Sequence, residues 1–161
     1  MLLLAATGCS GERSAGSVTS GRVAVVADGD TLRLHDGRRV RLVQIDAPEP
    51  GIECFGSAAS HALAELVPVG TLVELEGDPR LDLRDRFGRL LRYVHVDGRN
   101  LNVLLVERGL AAPYFFRDAR GRYADELLAA AERARGRRRG LWGECGRARL
   151  HPRRALDSGP P

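Results

Sequence analysis

The sequence predicts a mainly β fold with helices (α+β), built as a small antiparallel barrel with helices on one side. Short runs rich in β-branched and leucine residues flank two Asp-Gly pairs, Asp36-Gly37 and Asp97-Gly98. This pattern is typical of β-hairpins. Helical stretches are few and lie between or after the strands. Barrels of this class often bind nucleic acids or oligosaccharides, although a fold alone does not define a function.

The elements follow in chain order. The runs "GRVAVVADGDTLRL" and "RRVRLVQID" predict the first two strands. The segment "GSAASHALAELVPVG" has apolar residues at helical spacing, with Ser57 as N-cap and Pro68 and Gly70 at its end. "TLVELEG" alternates as a half-buried strand does. A further strand, "RLLRYVHV", precedes the second Asp-Gly turn.

Two helices are predicted after that turn. "NLNVLLVERG" is a short helix with Asn100 or Asn102 as its cap and Gly109 at its end. "YADELLAAAERARGRRRG" is the longest helix, with acidic residues in its first turn and arginines in its last. The Arg- and Pro-rich residues 147–161 are predicted to be a disordered tail.

Net charge gives little indication of a partner. The chain has 161 residues and a net charge of +4, and a single domain of this size buries about two thirds of its extended-chain surface. Residues 133–154 contain nine arginines against Glu144, so the rest of the chain is near −4. All 25 basic residues are arginine, as a GC-rich coding bias would produce. Basic composition therefore does not by itself indicate nucleic-acid binding.

The first residues resemble a bacterial lipoprotein signal. "MLLLAATGCS" is apolar and ends in small residues before Cys9, the position that would carry the lipid. We expect a signal over 1–9, a flexible tether over 10–20, the main domain over 21–146 and the tail over 147–161. The protein would then be exported, as an envelope lipoprotein or in secreted form. The alternative is a frayed apolar terminus.

The other two cysteines are expected to pair. A Cys54–Cys145 disulfide would close a loop of about 90 residues, worth roughly 4 kcal/mol in the chain-entropy model. Such a bond requires an oxidising compartment, which agrees with export. The alternative is two free thiols in a cytosolic protein.

The first hairpin gathers charged residues at one end. With Asp36 and Gly37 as central turn residues, Asp30 would lie opposite Val43 and diagonal to Arg41. Asp46 and Glu49 follow the second strand, and Asp46 joins Asp30 only if that strand stops or bulges near Ile45, as Pro48 would favour. The alternative is that these are ordinary acidic residues at strand ends.

These residue types fit the chemistry of phosphodiester hydrolysis. Carboxylates bind hard cations, and Arg41 and Arg89 can both bind one phosphate through their planar forks. Glu49 can accept a proton from an attacking water. Cleavage of an anionic ester requires that growing negative charge be neutralised and that water be placed in line.

Four motifs together resemble the staphylococcal nuclease-like (thermonuclease) domain family. They are "VVADGDTLRL", "VRLVQIDAPE", "DRFGRLLRYVHVDGRNLNVLLVERGLA" and "GLWGEC", within about residues 22–145. The resemblance implies a five-stranded OB-type barrel packed with three helices. It also implies Ca²⁺ binding and cleavage of DNA and RNA to 3′-phosphate products.

The resemblance assigns roles to single residues. Asp30 and Asp46 match the calcium carboxylates, and Ala47 falls where the family binds calcium through a backbone carbonyl. Glu49 matches the general base, and Arg41 and Arg89 match the phosphate-binding arginines. The substrate-binding positions hold Arg86, Phe87, Tyr114 and Phe116, two of which carry phenylalanine where the reference enzyme has tyrosine.

The sequence thus favours a monomeric calcium-dependent nuclease acting on single-stranded DNA or RNA. The alternative is a catalytically silent OB-type oligonucleotide-binding module of the cell envelope. Such a module should lack Glu49, Arg41 or Arg89, and this chain has all three. A purely structural envelope lipoprotein would account for Cys9 and nothing else.

Overall fold

The computed structural model describes residues 18–161. The predicted signal with its lipid-bearing Cys9, and most of the predicted tether, lie outside the described residues. The last positions of that tether, from Val18, belong to the first strand. Within the described part of the chain, every helix is too short or too polar to cross a bilayer.

The described residues form eight strands and four helices. The strands are β1 Val18–Val26, β2 Thr31–Leu34, β3 Arg39–Leu42, β4 Ile45–Asp46, β5 Leu72–Glu76, β6 Leu90–Val96, β7 Arg99–Asn100 and β8 Ala112–Pro113. The helices are α1 Gly56–Leu66, α2 Leu101–Glu107, α3 Ala124–Gly136 and α4 Leu141–Glu144, with a 3₁₀ turn at Phe116–Asp118.

Five of the strands close into a barrel. The order is β3-β2-β1-β5-β6, and β3 also pairs with β6, which closes the sheet. The predicted OB-type α+β barrel is confirmed. The β3–β6 pair is parallel, so the barrel is mixed rather than purely antiparallel. The fourth helix, α4, is a single turn that the sequence prediction did not separate from the closing "GLWGEC" motif.

The first hairpin differs from its predicted register by one residue. Thr31 pairs with Arg41 and Leu32 with Val40. The loop holds three residues, because Leu34 and Arg38 still bond across it and Gly37 adopts φ 85°. Three-residue loops with a left-handed glycine are a common hairpin type. Arg41 therefore lies directly across from Thr31 rather than diagonal to Asp30.

Helix α1 begins without the predicted Ser57 cap. Its N-cap is Phe55, which has φ 70° and makes no side-chain capping bond. A Cβ on Gly56 would lie 2.1 Å from the Glu49 carbonyl oxygen, so only glycine allows the helix to start this close to residue 49. Helix α2 begins as predicted, with the Asn100 side chain accepting from the Val103 amide at 3.1 Å.

Residues 147–161 form no helix or strand, but they are not the disordered tail predicted from composition. The segment crosses the domain surface, where the Pro152 carbonyl accepts from the Phe115 amide at 2.6 Å and Ser158 is only 1% exposed. The amino-acid composition of this segment gives no sign of the backbone hydrogen-bond partners that the rest of the folded domain provides for it.

Candidate active site

Asp30 lies buried at the start of β2, where it joins two parts of the chain. One carboxylate oxygen, Oδ2, accepts from the Ala47 amide at 2.8 Å and lies 2.5 Å from Nη1 of Arg41. Oδ1 accepts from the Thr31 hydroxyl at 3.2 Å. These contacts hold the Asp46-Ala47 backbone beside the end of the first hairpin. Asp30 and Ala47, both sequence-predicted metal positions, are thus adjacent.

The chain turns between β3 and β4 at Gln44, which has φ 65°. The predicted stop near Ile45 is therefore present, but it occurs before Ile45 and does not depend on Pro48. The Gln44 side chain is buried, and its Oε1 accepts from Tyr93 at 3.1 Å and from the Gly121 amide at 2.8 Å. These bonds offset the strain of a left-handed backbone and direct Asp46 back toward the rim.

Arg41 binds both aspartates at once. Its Nη1 contacts Asp30, and its Nη2 donates to Oδ1 of Asp46 at 2.8 Å. The Arg41 side chain is 14% exposed, so the pairing occurs in a largely desolvated place. The two aspartates predicted to share a site therefore converge, with one guanidinium between them.

Further carboxylates surround this pair and give the rim a surplus of negative charge. Asp28 and Glu53 act electrostatically on Glu49, and Asp46 does so too. Within residues 18–161, Arg41 is the basic side chain at ion-pair distance from any of these acids. The rim, defined here as Asp28, Asp30, Asp46, Glu49 and Glu53, thus has five carboxyl groups, of which Asp30 and Asp46 bind Arg41.

Three acids of the rim have a raised pKa. Burial raises the pKa of Asp30 to about 7, against the opposing effect of Arg41. Burial also raises the pKa of Asp46. The pKa of Glu49 is raised, first by partial burial and then by the charges of Asp28, Asp46 and Glu53. In each case the fold disfavours the ionised carboxylate, mainly because burial removes it from water.

Arg89 reaches the rim from a tight turn. Asp85 orders this turn, because it accepts from the Phe87 and Arg89 amides and from Arg89 Nε at 2.6 Å. Gly88 supplies the left-handed φ of 76°. Nη1 of Arg89 lies 3.4 Å from the Thr31 hydroxyl, which is itself bonded to Asp30. Arg89 therefore lies at the same end of the barrel as Arg41.

A groove of about 590 Å³ adjoins Arg41 and Arg89. Its walls include the four predicted substrate-binding residues, Arg86, Phe87, Tyr114 and Phe116. Phe87 and Phe116 are 56% and 55% exposed, which leaves ring surface open to solvent. The Arg86 guanidinium lies 4.7 Å from the Phe87 ring centre. Exposed rings and guanidinium groups are suited to stacking bases and binding phosphates.

The predicted disulfide is present in the structure. Cys54 and Cys145 are bonded, with a Cα–Cα distance of 5.9 Å. The bond joins the loop after Glu49 to the end of α4. The neighbouring Glu53 accepts from the Glu49 amide at 2.8 Å, so the same short loop is held at two points.

Sequence reasoning missed three acidic residues of this region. Asp28 lies two residues before Asp30, Glu53 lies four residues after Glu49, and Asp85 lies four residues before Arg89. Each of them lies within four residues of a predicted site residue, and this spacing is the sequence signal that could have identified them. Spacing alone does not distinguish these residues from other acids at loop positions.

The rim suits a hard divalent cation by its chemistry. Its ligands would all be oxygens, and its carboxylates outnumber their basic partner, which is the donor set that such ions prefer. Within residues 18–161, no three His, Cys, Asp or Glu side chains already surround a common point. The fit therefore depends on the charge surplus and on the convergence of Asp30 and Asp46.

The fold and this rim define an OB-type barrel with an acidic, arginine-containing site beside an aromatic groove. The sequence model of the family described as "Staphylococcal nuclease homologue" matches residues 39–144. The chain belongs to this family.

Three relatives illustrate the similarity. The chain is 33% identical over 127 residues to Endonuclease YncB of Bacillus subtilis (strain 168), covering 74% of this chain and 59% of the relative. It is 34% identical to the SPbeta prophage-derived endonuclease YokF of the same organism, covering 74% and 42%. It is 39% identical over 137 residues to Protein ParB of Escherichia coli, covering 77% and 72%. The chain thus spans only about half the length of the two Bacillus relatives.

Proposed function

We propose that this protein is a calcium-dependent nuclease that hydrolyses DNA or RNA to 3′-phosphate products. The observation that carries the proposal is the rim, where Asp30 and Asp46 share Arg41 beside a groove that is lined by both Arg41 and Arg89. Family membership and the endonuclease names of the two Bacillus relatives support the same class of reaction.

Asp30 and Asp46 are the residues that would hold the ion, together with the backbone carbonyl of Ala47. When bound, a calcium ion would supply positive charge next to the phosphate and lower the cost of bringing an anionic substrate to an acidic rim. The side chain at position 47 does not matter for a carbonyl ligand, so alanine is acceptable there.

Glu49 is the proposed general base. It lies on the exposed side of the rim, where a water molecule can reach it, and its raised pKa makes it a better proton acceptor than an ordinary glutamate. The attacking water gives its proton to the Glu49 carboxylate as the new bond to phosphorus forms, the bond from phosphorus to the 5′-oxygen breaks, and the leaving 5′-oxygen takes a proton from solvent.

Arg41 and Arg89 are proposed to stabilise the charge that builds on the phosphate oxygens during attack. A guanidinium placed at developing negative charge in a desolvated site acts more strongly than one in water. Arg89 has its Nε held by Asp85, which fixes the direction in which its remaining N–H groups point.

The groove supports a single-stranded substrate. Stacking of unpaired bases on Phe87, Tyr114 and Phe116 would be worth about 1–3 kcal/mol per base, and paired bases offer no such free faces. Arg86 is proposed to contact a phosphate next to the scissile one. We expect the protein to act as a monomer, because the residues of the proposed site all come from one chain.

The proposed location is outside the cytoplasm, as an envelope lipoprotein anchored through Cys9 or as a secreted protein. The Cys54–Cys145 bond supports this proposal, because disulfides persist in oxidising compartments. Mass spectrometry of the protein isolated from cells without reductant is expected to find the joined peptides and a lipid on Cys9. Free thiols at both positions would remove the support for export.

The function is tested by incubating the full chain with single-stranded DNA or RNA in calcium. We expect fragments with 3′-phosphate ends, and we expect EDTA to abolish cleavage and added calcium to restore it. Cleavage that persists in EDTA would contradict the calcium assignment. Binding of the oligonucleotide without cleavage would instead indicate the silent OB-type module.

A further inference from the structure

Residues 152–159 cross the edge of the rim and make backbone contacts with it. We propose that this 152–159 segment is a positioning element of the active site, which orients Asp46 and fixes the loop that carries Glu49. The inference rests on the proposed nuclease function and goes beyond it, because the segment lies outside the family-matched region 39–144.

The first contact is with a proposed metal carboxylate. The Leu156 amide donates to Oδ2 of Asp46 at 2.8 Å, while Arg41 binds the other oxygen, Oδ1. With one donor on each oxygen, the carboxylate plane of Asp46 has a single orientation. Partners of this kind, which bind a ligand from behind, are worth about 10–100-fold in metal affinity or activity when they are lost.

The second contact is with the loop after Glu49. The Gly159 carbonyl accepts from the Cys54 amide at 2.7 Å, and the Ser158 hydroxyl donates to the Cys54 carbonyl at 2.8 Å. Both polar groups of the Cys54 backbone are thereby bound. Glu53, next to Cys54, also holds the Glu49 amide, so the segment is connected to Glu49 through one short loop.

The segment is itself fixed at its other end. The Pro152 carbonyl accepts from the Phe115 amide at 2.6 Å, and Arg153 pairs with Asp118 at 2.9 Å. The disulfide ties Cys54 to Cys145, shortly before the segment. Because the segment is fixed to the domain on both sides of its contact with Asp46, it can hold Asp46 in one orientation.

The segment does not occupy the substrate groove. None of the groove's lining residues comes from 147–161; they come from β3, β4, the loop before β6 and the region around Phe116. A segment that blocked substrate would enter this groove. The segment contacts Asp46 and Cys54 but does not line the groove. We therefore infer that it positions the site rather than inhibits it.

Two truncations test the inference in the full protein. One ends after Ala155 and removes the Leu156, Ser158 and Gly159 contacts. The control ends after Pro160, which removes only the exposed Pro161 and keeps the Gly159 peptide carbonyl that binds the Cys54 amide. We expect the first truncation to lower kcat about tenfold or more and to raise the calcium concentration for half-maximal activity, with KM for the oligonucleotide unchanged because the groove is intact. The control should match the full chain.

A point variant tests the inference if the truncated chain folds poorly. Ser158→Ala removes the hydroxyl that binds the Cys54 carbonyl and leaves the backbone in place. We expect a smaller fall in kcat, of a few fold, and faster amide hydrogen exchange over residues 49–54 without a change in Tm.

Hydrogen exchange also separates this inference from the proposed function. If the full chain cleaves nothing, the proposed function fails, and faster exchange at 49–54 in the Ala155 truncation still shows that the segment holds this loop. A rise in kcat on truncation would overturn the inference in favour of inhibition. Unchanged exchange with unchanged kcat and calcium dependence would overturn it as well.

Discussion

Two sites that each contain a buried acid, Glu76 in one and Asp30 in the other, differ in how their charge is compensated. At the end of β5, Glu76 accepts from His95 and Tyr123, each at 2.9 Å, and from the Arg122 guanidinium. One carboxylate therefore has three donors. At the rim the balance of charge is reversed, because Asp30 and Asp46 both bind the one guanidinium of Arg41.

We interpret this difference as one between a structural cluster and a functional site. The Glu76 cluster joins β5 and β6 to the start of α3, and its donors satisfy the buried acid without outside help. At the rim two acids share one guanidinium, and the pKa of Asp30, Asp46 and Glu49 is raised, chiefly by burial. Stability alone does not favour such a surplus, so we interpret it as a binding site for a cation and a source of a base.

The largest effect is expected at the proposed base. Glu49→Gln keeps the shape of the side chain but removes its basicity, so kcat should fall by about 10²–10⁴-fold with oligonucleotide affinity largely kept. The matched control is Glu65→Gln, the same change at an exposed position of α1. Steady-state kinetics and fluorescence binding measure the two quantities. Equal kcat in the two variants would exclude Glu49 from the base role.

The second effect concerns the arginine that reaches the rim from the groove. Arg89→Ala should lower kcat by about 10²–10³-fold, because a donor to the developing charge is lost. The exposed Arg33, on β2, gives the control Arg33→Ala. Both variants should unfold at the same temperature as the parent protein. A rise in KM with an unchanged kcat would mean that Arg89 only binds substrate.

Breaking the other cluster should affect stability rather than catalysis. Glu76→Gln leaves buried donors poorly matched and should lower the free energy of unfolding by about 1–3 kcal/mol. Activity per folded molecule should be unchanged. Urea denaturation measures the first effect, with Glu74→Gln, an exposed acid of the same strand, as control. A fall in kcat at full folding would show that the two clusters are not separate in role.

A gradual effect of pH on stability is expected from Asp30 in protein kept in EDTA. Its pKa is about 7 in the fold against an ordinary 3.8, so between these values the folded state holds a proton that the unfolded state has released. The free energy of unfolding should therefore decrease as pH rises through this window, by at most about 1.4 kcal/mol per pH unit from one group. Asp30→Asn should flatten the profile, as urea titrations at several pH values would show. A profile equally steep in the variant would assign the dependence to other groups.

Local signals predicted most of the fold. The Asp97-Gly98 turn, the Asn100 cap and the alternation of β5 each depend on near neighbours, and the structure confirms them. The hairpin register was wrong, because Asp36-Gly37 is compatible with both two- and three-residue loops. The parallel β3–β6 pair was missed because it joins segments with no pattern in common.

The site residues that lie close together within one sequence motif could be predicted. Asp30, Arg41 and Asp46 lie close in sequence, and the structure brings them together. The Leu156 amide was not predictable, because a backbone donor carries no side-chain signature and lies 110 residues from Asp46. The buried Gln44, which turns the chain toward the rim, likewise depends on distant partners such as Tyr93.

Calcium titration calorimetry measures whether the acidic rim binds a cation. We expect one calcium ion per chain for the parent protein and for Glu76→Gln, and no measurable binding for the folded double variant Asp30→Asn/Asp46→Asn. Equal calcium binding by the double variant, or none by the parent protein, would contradict this expectation.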